Sequence, residues 1–259
     1  MSSSTGIAKL KRTAAVLLSS AALLGLWWAG SLFVSDVILP PPGAVLRDFI
    51  QFLSRPGFYQ ALGATVRRGV ESFFITLLIG TAVGIPAGSF ASVELFFRPL
   101  LAVIKATPVL SVILLAFIWF QSGTVPVFAA VLMAFPVVVQ NVMTGVREID
   151  RELLEMAEVY RFSRRQKFLH ITLPAITPFF LSGARSALGL TWKVVVAAEV
   201  LTVPRHGIGS AMQFAQINLD TSRLLAWTLA AVLLSAASEI LFDLASPLLQ
   251  PFRRKRHGH

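Results

Sequence analysis

Forty-one consecutive residues between Lys105 and Arg147 carry no formal charge. As an α-helix, at about 1.5 Å per residue, that run is about twice as long as one bilayer crossing requires. It therefore predicts a helical hairpin, with the polar, glycine-containing Gln121-Ser122-Gly123-Thr124 as its turn and spans at 99–120 and 125–145. Four more stretches read the same way: 13–34, 72–93 between Glu71 and Glu94, 174–200, and 224–245 with Glu239 and Asp243 toward its end. The first is too long for a leader's apolar region and lacks a small-x-small exit before Asp36, so it is expected as a retained span. Six crossings of roughly 20 residues use about 120 residues, which leaves too little of the 259-residue chain for a separate catalytic domain, and 55% hydrophobic with 14% charged residues agrees. The expectation is one all-α integral membrane domain over 1–259 with six transmembrane helices and no separate soluble domain.

The net charge of +10 reads as topology rather than nucleic-acid binding. With the N-terminus inside, 14 Lys and Arg fall on cytoplasmic segments and 6 outside (Arg47, Arg55, Arg67, Arg68, Arg205 and Arg223), which places both termini in the cytoplasm. The tail PFRRKRHGH then reads as a lipid-facing cluster, and its His257 and His259 as a solvated end. Outside, Leu39-Pro-Pro-Pro-Gly is extended or turn chain. Val45, Phe49, Phe52 and Leu53 follow at helical spacing, predicting an amphipathic helix on the outer membrane surface.

Gly80, Gly84 and Gly88 recur every fourth residue and share one helical face, the small-xxx-small pattern of close helix packing. Arg185, Lys193 and Glu199 stand within or near the fifth span, where a charge facing lipid costs at least about 2.5–3.5 kcal/mol. With Trp192 they are the candidate pathway residues. Arg185 favours a buried structural or gate partner and Glu199 a structural pairing, while Lys193 suits either role. Trp192 could line a pathway, although a tryptophan near an interface more often anchors in the headgroup belt. Lys105 is close enough to the inner face to snorkel.

No lysine follows a glycine, so the phosphate loop G-x-x-x-x-G-K-[ST] is missing. H-E-x-x-H and G-x-S-x-G are absent too, the four histidines are scattered, and there is no cysteine. No catalytic residue, metal site or cofactor is expected on this chain.

The segment 147–173 is long, charged and patterned as two short helices. Asp150 is placed to N-cap the first, whose apolar face is Leu153, Met156, Ala157 and Tyr160 opposite Glu152, Glu155 and Glu158. Ser163 and Gln166 make a capping box for the second, and Pro174 and Pro178 suit the first turns of the fifth span. From these residues alone, a partner-docking hook and a solvated helix pair with an Arg151–Glu155 contact stand level.

The hook resembles the cytoplasmic signature of ABC importer permeases, Glu-Ala-Ala, three residues, Gly, nine residues, Ile-x-Leu-Pro. Glu155, Met156 and Ala157 take its first positions and Ile171, Leu173 and Pro174 its last. Arg161 stands where the family has glycine, which puts the turn at Tyr160-Arg161-Phe162 in question. LPPPGAVL, GTAVGIPAG, IKATPVLSVILLAFIWF and ALGLTWKVVVAAEVL are similar to the nitrate, sulfonate and taurine branch of these permeases. The resemblance implies a type I importer permease fold in a bacterial inner membrane. It implies two ATP-binding cassette subunits, carrying ATP and Mg, gripping the coupling loop at Glu155 to Arg161. It also implies a second permease copy, a homodimer, and an extracytoplasmic solute-binding protein. The branch points to a small oxyanion or organosulfonate, with a vitamin precursor as another solute. A secondary transporter or channel is the alternative, for which the chain lacks internal repeats and acidic ion sites.

Overall fold

The computed structural model describes residues 3–249, eleven α-helices with short π and 3-10 turns and no strand among them. The basic tail with His257 and His259, and the side chains of Lys9, Lys11 and Arg12, lie outside what it describes.

Helix α1 is Ser3–Ser31, and α2, Pro42–Leu53, starts with proline in its first turn, where no backbone N–H is needed. The apolar face of α2 expected to meet a membrane surface is largely covered by protein. Val45 and Phe52 are buried against Phe58 of α3 (Pro56–Ser89) and Ala226 and Ala230 of α11 (Thr221–Ala245), while Leu53 alone of the four expected residues is exposed.

The run expected to span 72–93 differs at both ends. Helix α3 begins at Pro56, so Arg67, Arg68 and Glu71 are inside it, and it stops at Ser89 before extended Phe90. Charges mark where a helix meets water or a partner, and they do not end it. The stretch expected as one span at 99–120 is two helices, α4 (Ala91–Ala106) and α5 (Val109–Trp119), bent by 101°. Pro108 removes an N–H and drives Thr107 into extended geometry, ψ 127°, which breaks the helix there. The Gln121–Thr124 turn follows, closed by the Thr124 N–H donating to Gln121 O at 2.8 Å, and α6 (Val125–Arg147) runs back.

Helices α7 (Arg151–Val159) and α8 (Arg164–Lys167) form the hook, and α8 continues through a π turn, Phe168–Thr172, into α9 (Leu173–Thr202) without a break. A further helix, α10 (Ile208–Ile217), which sequence patterning does not reveal, lies between α9 and α11. Among the described residues α3, α6 and α11 are each long and apolar enough to cross a membrane, and α4 with α5 adds a fourth if the bent pair counts as one span.

The core is α3, α6 and α9. Gly80, Gly84 and Gly88 of α3 face Val138, Val142 and Val146 of α6, each valine four residues beyond the last. A Cβ on these glycines would stand 2.7, 2.8 and 2.6 Å from the facing valine Cβ, so the two backbones approach as closely as glycine permits. At the far end of α3, Gly69 gives the same room to the Trp192 ring of α9, 2.2 Å from where a Cβ would be.

Candidate functional site

The hook is built from local hydrogen bonds. The Asp150 carboxylate accepts from the Glu152 N–H at 2.9 Å and starts α7. The helix ends in a Schellman turn: Phe162 N–H donates to Ala157 O at 2.8 Å and Arg161 N–H to Glu158 O at 2.9 Å. Arg161 holds φ 54°, the left-handed conformation that glycine takes without strain. Ser163 and Gln166 then cap α8 reciprocally, at 2.8 and 3.3 Å. Lys167 ties the second helix back to Glu158 at 3.3 Å, whereas Arg151 makes no ion pair with Glu155.

Of the apolar face on α7 only Ala157 is buried; Leu153, Met156 and Tyr160 are exposed, as is the adjoining Val159 at 80%. Glu155 and Arg161 are exposed beside them, Ile171 is buried, Leu173 is exposed and Pro174 half-buried in the first turn of α9. The chain thus holds a hook rigid by its caps while leaving its apolar face uncovered.

Because Arg161 pays the left-handed penalty, Arg161→Gly is expected to stabilise the hook by about 1 kcal/mol. Amide hydrogen exchange across α7 should slow about fivefold. Faster exchange would show that the arginine side chain itself holds the turn.

A second cluster sits at the opposite end of α9. The Glu199 carboxylate, fully buried, accepts from Arg68 Nη1 at 2.6 Å, from Thr65 Oγ1 at 2.8 and 3.0 Å, and from the Gly209 N–H at 3.0 Å. Arg68 also donates to the carbonyls of His206 at 2.8 Å and Gly123 at 3.2 Å, and Thr65 Oγ1 accepts from the Ile208 N–H at 2.9 Å. Thr202 reaches Ser122 O at 3.2 Å. One carboxylate at the N-terminus of α10 therefore gathers α3, the α5–α6 turn, α9 and α10, complementing the positive end of the α10 dipole. Side chains at 207 and 209 are excluded: a Cβ at Gly207 would be 2.7 Å from the Glu199 carboxylate carbon, and one at Gly209 2.4 Å from the Val196 carbonyl oxygen of α9 and 2.5 Å from Glu199 Cβ.

The four candidate pathway residues divide in two. Trp192 and Glu199 are buried in the chain's own core, Trp192 donating to Ser238 Oγ at 2.7 Å, so Trp192 is neither a headgroup anchor nor a surface residue. Arg185 is not buried; it is 56% exposed and pairs with Asp243 of α11 at 2.8 Å. Arg185 and exposed Lys193 share one recess of about 350 Å³ with Glu239. Lys105 turns to Gln140 of α6, at 2.9 Å. Arg68 and Thr65 are the residues that sequence reading missed. Their signal is a polar stripe, Thr65, Arg68, Ser72 and Thr76 at intervals of three and four, every member buried. Among the described residues no group of His, Asp and Glu could hold a metal ion.

Comparison with known proteins identifies the family. The taurine transport system permease protein TauC of Escherichia coli K12 is 30% identical over 246 residues, 92% of this chain and 88% of that protein. The putative aliphatic sulfonates transport permease protein SsuC of Bacillus subtilis is 30% identical over 210 residues, 78% of this chain and 75% of its own. The bicarbonate transport system permease protein CmpB of Synechococcus elongatus is 28% identical over 209 residues, 75% of each. Residues 77–255 match the family model described as binding-protein-dependent transport system inner membrane component. The chain belongs to that family, the ABC-type transport permeases of the inner membrane.

Proposed function

We propose that this chain is the pathway-forming subunit of an ATP-driven importer for small oxyanions or organosulfonates, powered by separate ATPase subunits bound at the hook. The observation that carries the reading is the hook itself: a capped helix whose Leu153, Met156, Val159 and Tyr160 are exposed together. An isolated solvated helix has no reason to keep that face, whereas a helix-in-groove contact uses one. Glu155 beside it supplies the charged contact, and the unbroken helical run from Arg164 to Thr202 links the hook to the Glu199 cluster. ATP binding would draw two ATPase subunits together, shift the hooks as rigid bodies, and favour an outward-open state; hydrolysis would reset it. The taurine, sulfonate and bicarbonate relatives support a solute that carries an oxyanion group.

The exposed charges on α9 and α11 support a second permease copy. Arg185, Lys193 and Glu239, with Asp243 paired to Arg185, cannot face lipid cheaply, so the recess that the first three line is read as turned toward a partner copy and an aqueous pathway. In this reading the chain crosses the membrane six times, with the hook and both termini in the cytoplasm. With Arg67 and Arg68 inside α3 the outer count of basic residues falls from 6 to 4, which strengthens the bias behind that orientation.

Reconstitution tests the proposal. In proteoliposomes holding this chain, its ATPase and a loaded binding protein, uptake should require ATP, and the chain alone should hydrolyse none. Uptake driven by an ion gradient without ATP would make it a secondary transporter. Topology is tested in intact cells of this cysteine-free chain: Ser54→Cys should react with an impermeant thiol reagent and Arg165→Cys should not. Labelling of the hook cysteine from outside would refute the orientation.

A further inference from the structure

At the α10 end of the molecule, α2, α3, α10 and α11 enclose an open cavity of about 400 Å³. One wall is aromatic. Trp227 stacks on Phe52, centroids 4.7 Å apart, and on Phe58 at 5.4 Å, the three rings within 28° of parallel. The rim is cationic, with the guanidinium-bearing residues Arg55, Arg205 and Arg223 and a single carboxylate, Asp220. That carboxylate is already engaged: it caps α11 by accepting from the Arg223 N–H at 3.1 Å and pairs with Arg223 Nε at 3.2 Å. Arg55 and Arg205 are exposed and have no acidic partner or side-chain hydrogen bond among the described residues. Arg205 lies in the loop before α10, outside any helix, and Arg55 precedes the first turn of α3 without capping it. Neither arginine is needed by the fold that holds it.

We infer that this cavity binds an amphiphilic oxyanion, a tetrahedral sulfonate or phosphate head on a small apolar body. Two unpaired guanidiniums at the mouth suit a head with several equivalent oxygens, which planar forks grip by paired hydrogen bonds. The stacked rings suit the apolar body, and the volume is that of a small-molecule site. A neutral molecule of the same shape would leave both arginines unanswered, and a bare inorganic anion would leave the aromatic wall wet. The position adds a consequence: His206 and Gly207 line the cavity, and the His206 carbonyl accepts from Arg68. An anion seated there touches the loop that leads from the Glu199 cluster into α10. The same head chemistry comes from a free organosulfonate or from an anionic lipid; the first source rests on the importer reading above, and the site does not.

The test uses the full-length chain in phosphatidylcholine nanodiscs, titrated calorimetrically with pentane-1-sulfonate. Saturable binding is expected, about tenfold weaker in R55Q/R205Q, with pentan-1-ol giving no saturable heat and sodium sulfate binding about tenfold more weakly than the sulfonate. Thermal melting checks the variant; should it fail to fold, Arg205→Gln alone, in its loop, should still weaken binding about threefold. Nanodiscs doped with phosphatidylglycerol separate the sources. If lipid is the natural occupant, native mass spectrometry retains phosphatidylglycerol on the wild type and not on the double variant, and sulfonate affinity falls as the doping rises. If the free anion is, doping leaves that affinity unchanged. Either pattern supports the site. Absence of saturable sulfonate binding together with no retained lipid, or the same affinity and retention in a folded arginine variant, overturns it. Uptake in proteoliposomes is scored separately: binding that persists without ATP-driven uptake sinks the importer reading and leaves the site, and uptake that persists without binding does the reverse.

Discussion

Glu155→Lys should abolish ATP-driven uptake and strip the ATPase from the purified complex, while insertion and the amount of folded permease stay at the wild-type level. The separation of those readouts follows from where Glu155 sits. It is exposed on α7 and its side chain makes no ion pair or hydrogen bond among the described residues, so reversing its charge removes nothing that the described fold uses. The caps that hold the hook are Asp150, Ser163 and Gln166, and its internal ion pair is Lys167 with Glu158, all untouched by the change. A docking contact responds differently, because a like charge placed against a complementary partner surface is repelled and its desolvation goes unanswered. ATPase association should fall at least about tenfold, the penalty of an uncompensated interfacial charge. Co-purification stoichiometry and uptake in proteoliposomes are the measurements. Wild-type uptake with a full ATPase complement would mean that the hook meets its partner through Leu153, Met156, Val159 and Tyr160 and not through Glu155.

What could be read from the chain divides by the range of the interactions involved. The hook is local: a cap and its N–H lie two or three residues apart, so Asp150, Ser163 and Gln166 are legible before any coordinates exist. The helix expected at 174–200 is nearly as legible and lies at Leu173–Thr202, with proline in its first turn, although it is not among the described helices apolar enough to cross a membrane. Proline elsewhere is ambiguous. Pro86, Pro99, Pro136 and Pro178 all sit inside helices, so the break that Pro108 makes between α4 and α5 is not distinguishable from them by composition. Charges misled in the same way at α3, where Arg67, Arg68 and Glu71 looked like the edge of a span and lie within the helix. Helix α10 is ten residues long and enters through Gly207 in extended geometry, too short and too glycine-rich at its start for periodicity to announce it. The Arg68–Glu199 pair is the least legible feature, since its members are 131 residues apart and only the fold brings them together.

That pair sets the second large expectation. Arg68→Met leaves the Glu199 carboxylate in the core with Thr65 and the Gly209 N–H but without its cation. Truncating one member of a buried ion pair costs about 3–5 kcal/mol, because the other charge stays buried and unanswered. At about 2–4 °C per kcal/mol for a chain of this size, the detergent-solubilised protein should melt about 10 °C lower. Glu199→Leu should cost as much from the other side, stranding the Arg68 guanidinium against the carbonyls of His206 and Gly123. The double variant R68M/E199L removes both charges and should recover more than half of the loss, as apolar replacements of buried pairs do. Recovery will not be complete, since Thr65 Oγ1 and the Gly209 N–H lose their acceptor and α10 loses the anion at its N-terminus. The location makes the defect functional as well as thermodynamic. The carboxylate joins the end of the helical run that leaves the hook to α3, the α5–α6 turn and α10, so a loosened joint should let the hook move without carrying α10 with it. The double variant, stable enough to assemble, should therefore hydrolyse ATP with its partner yet import poorly. A melting temperature for Arg68→Met within about 1 °C of wild type, a loss under about 0.5 kcal/mol, would show that the pair is not what fixes α10 in place.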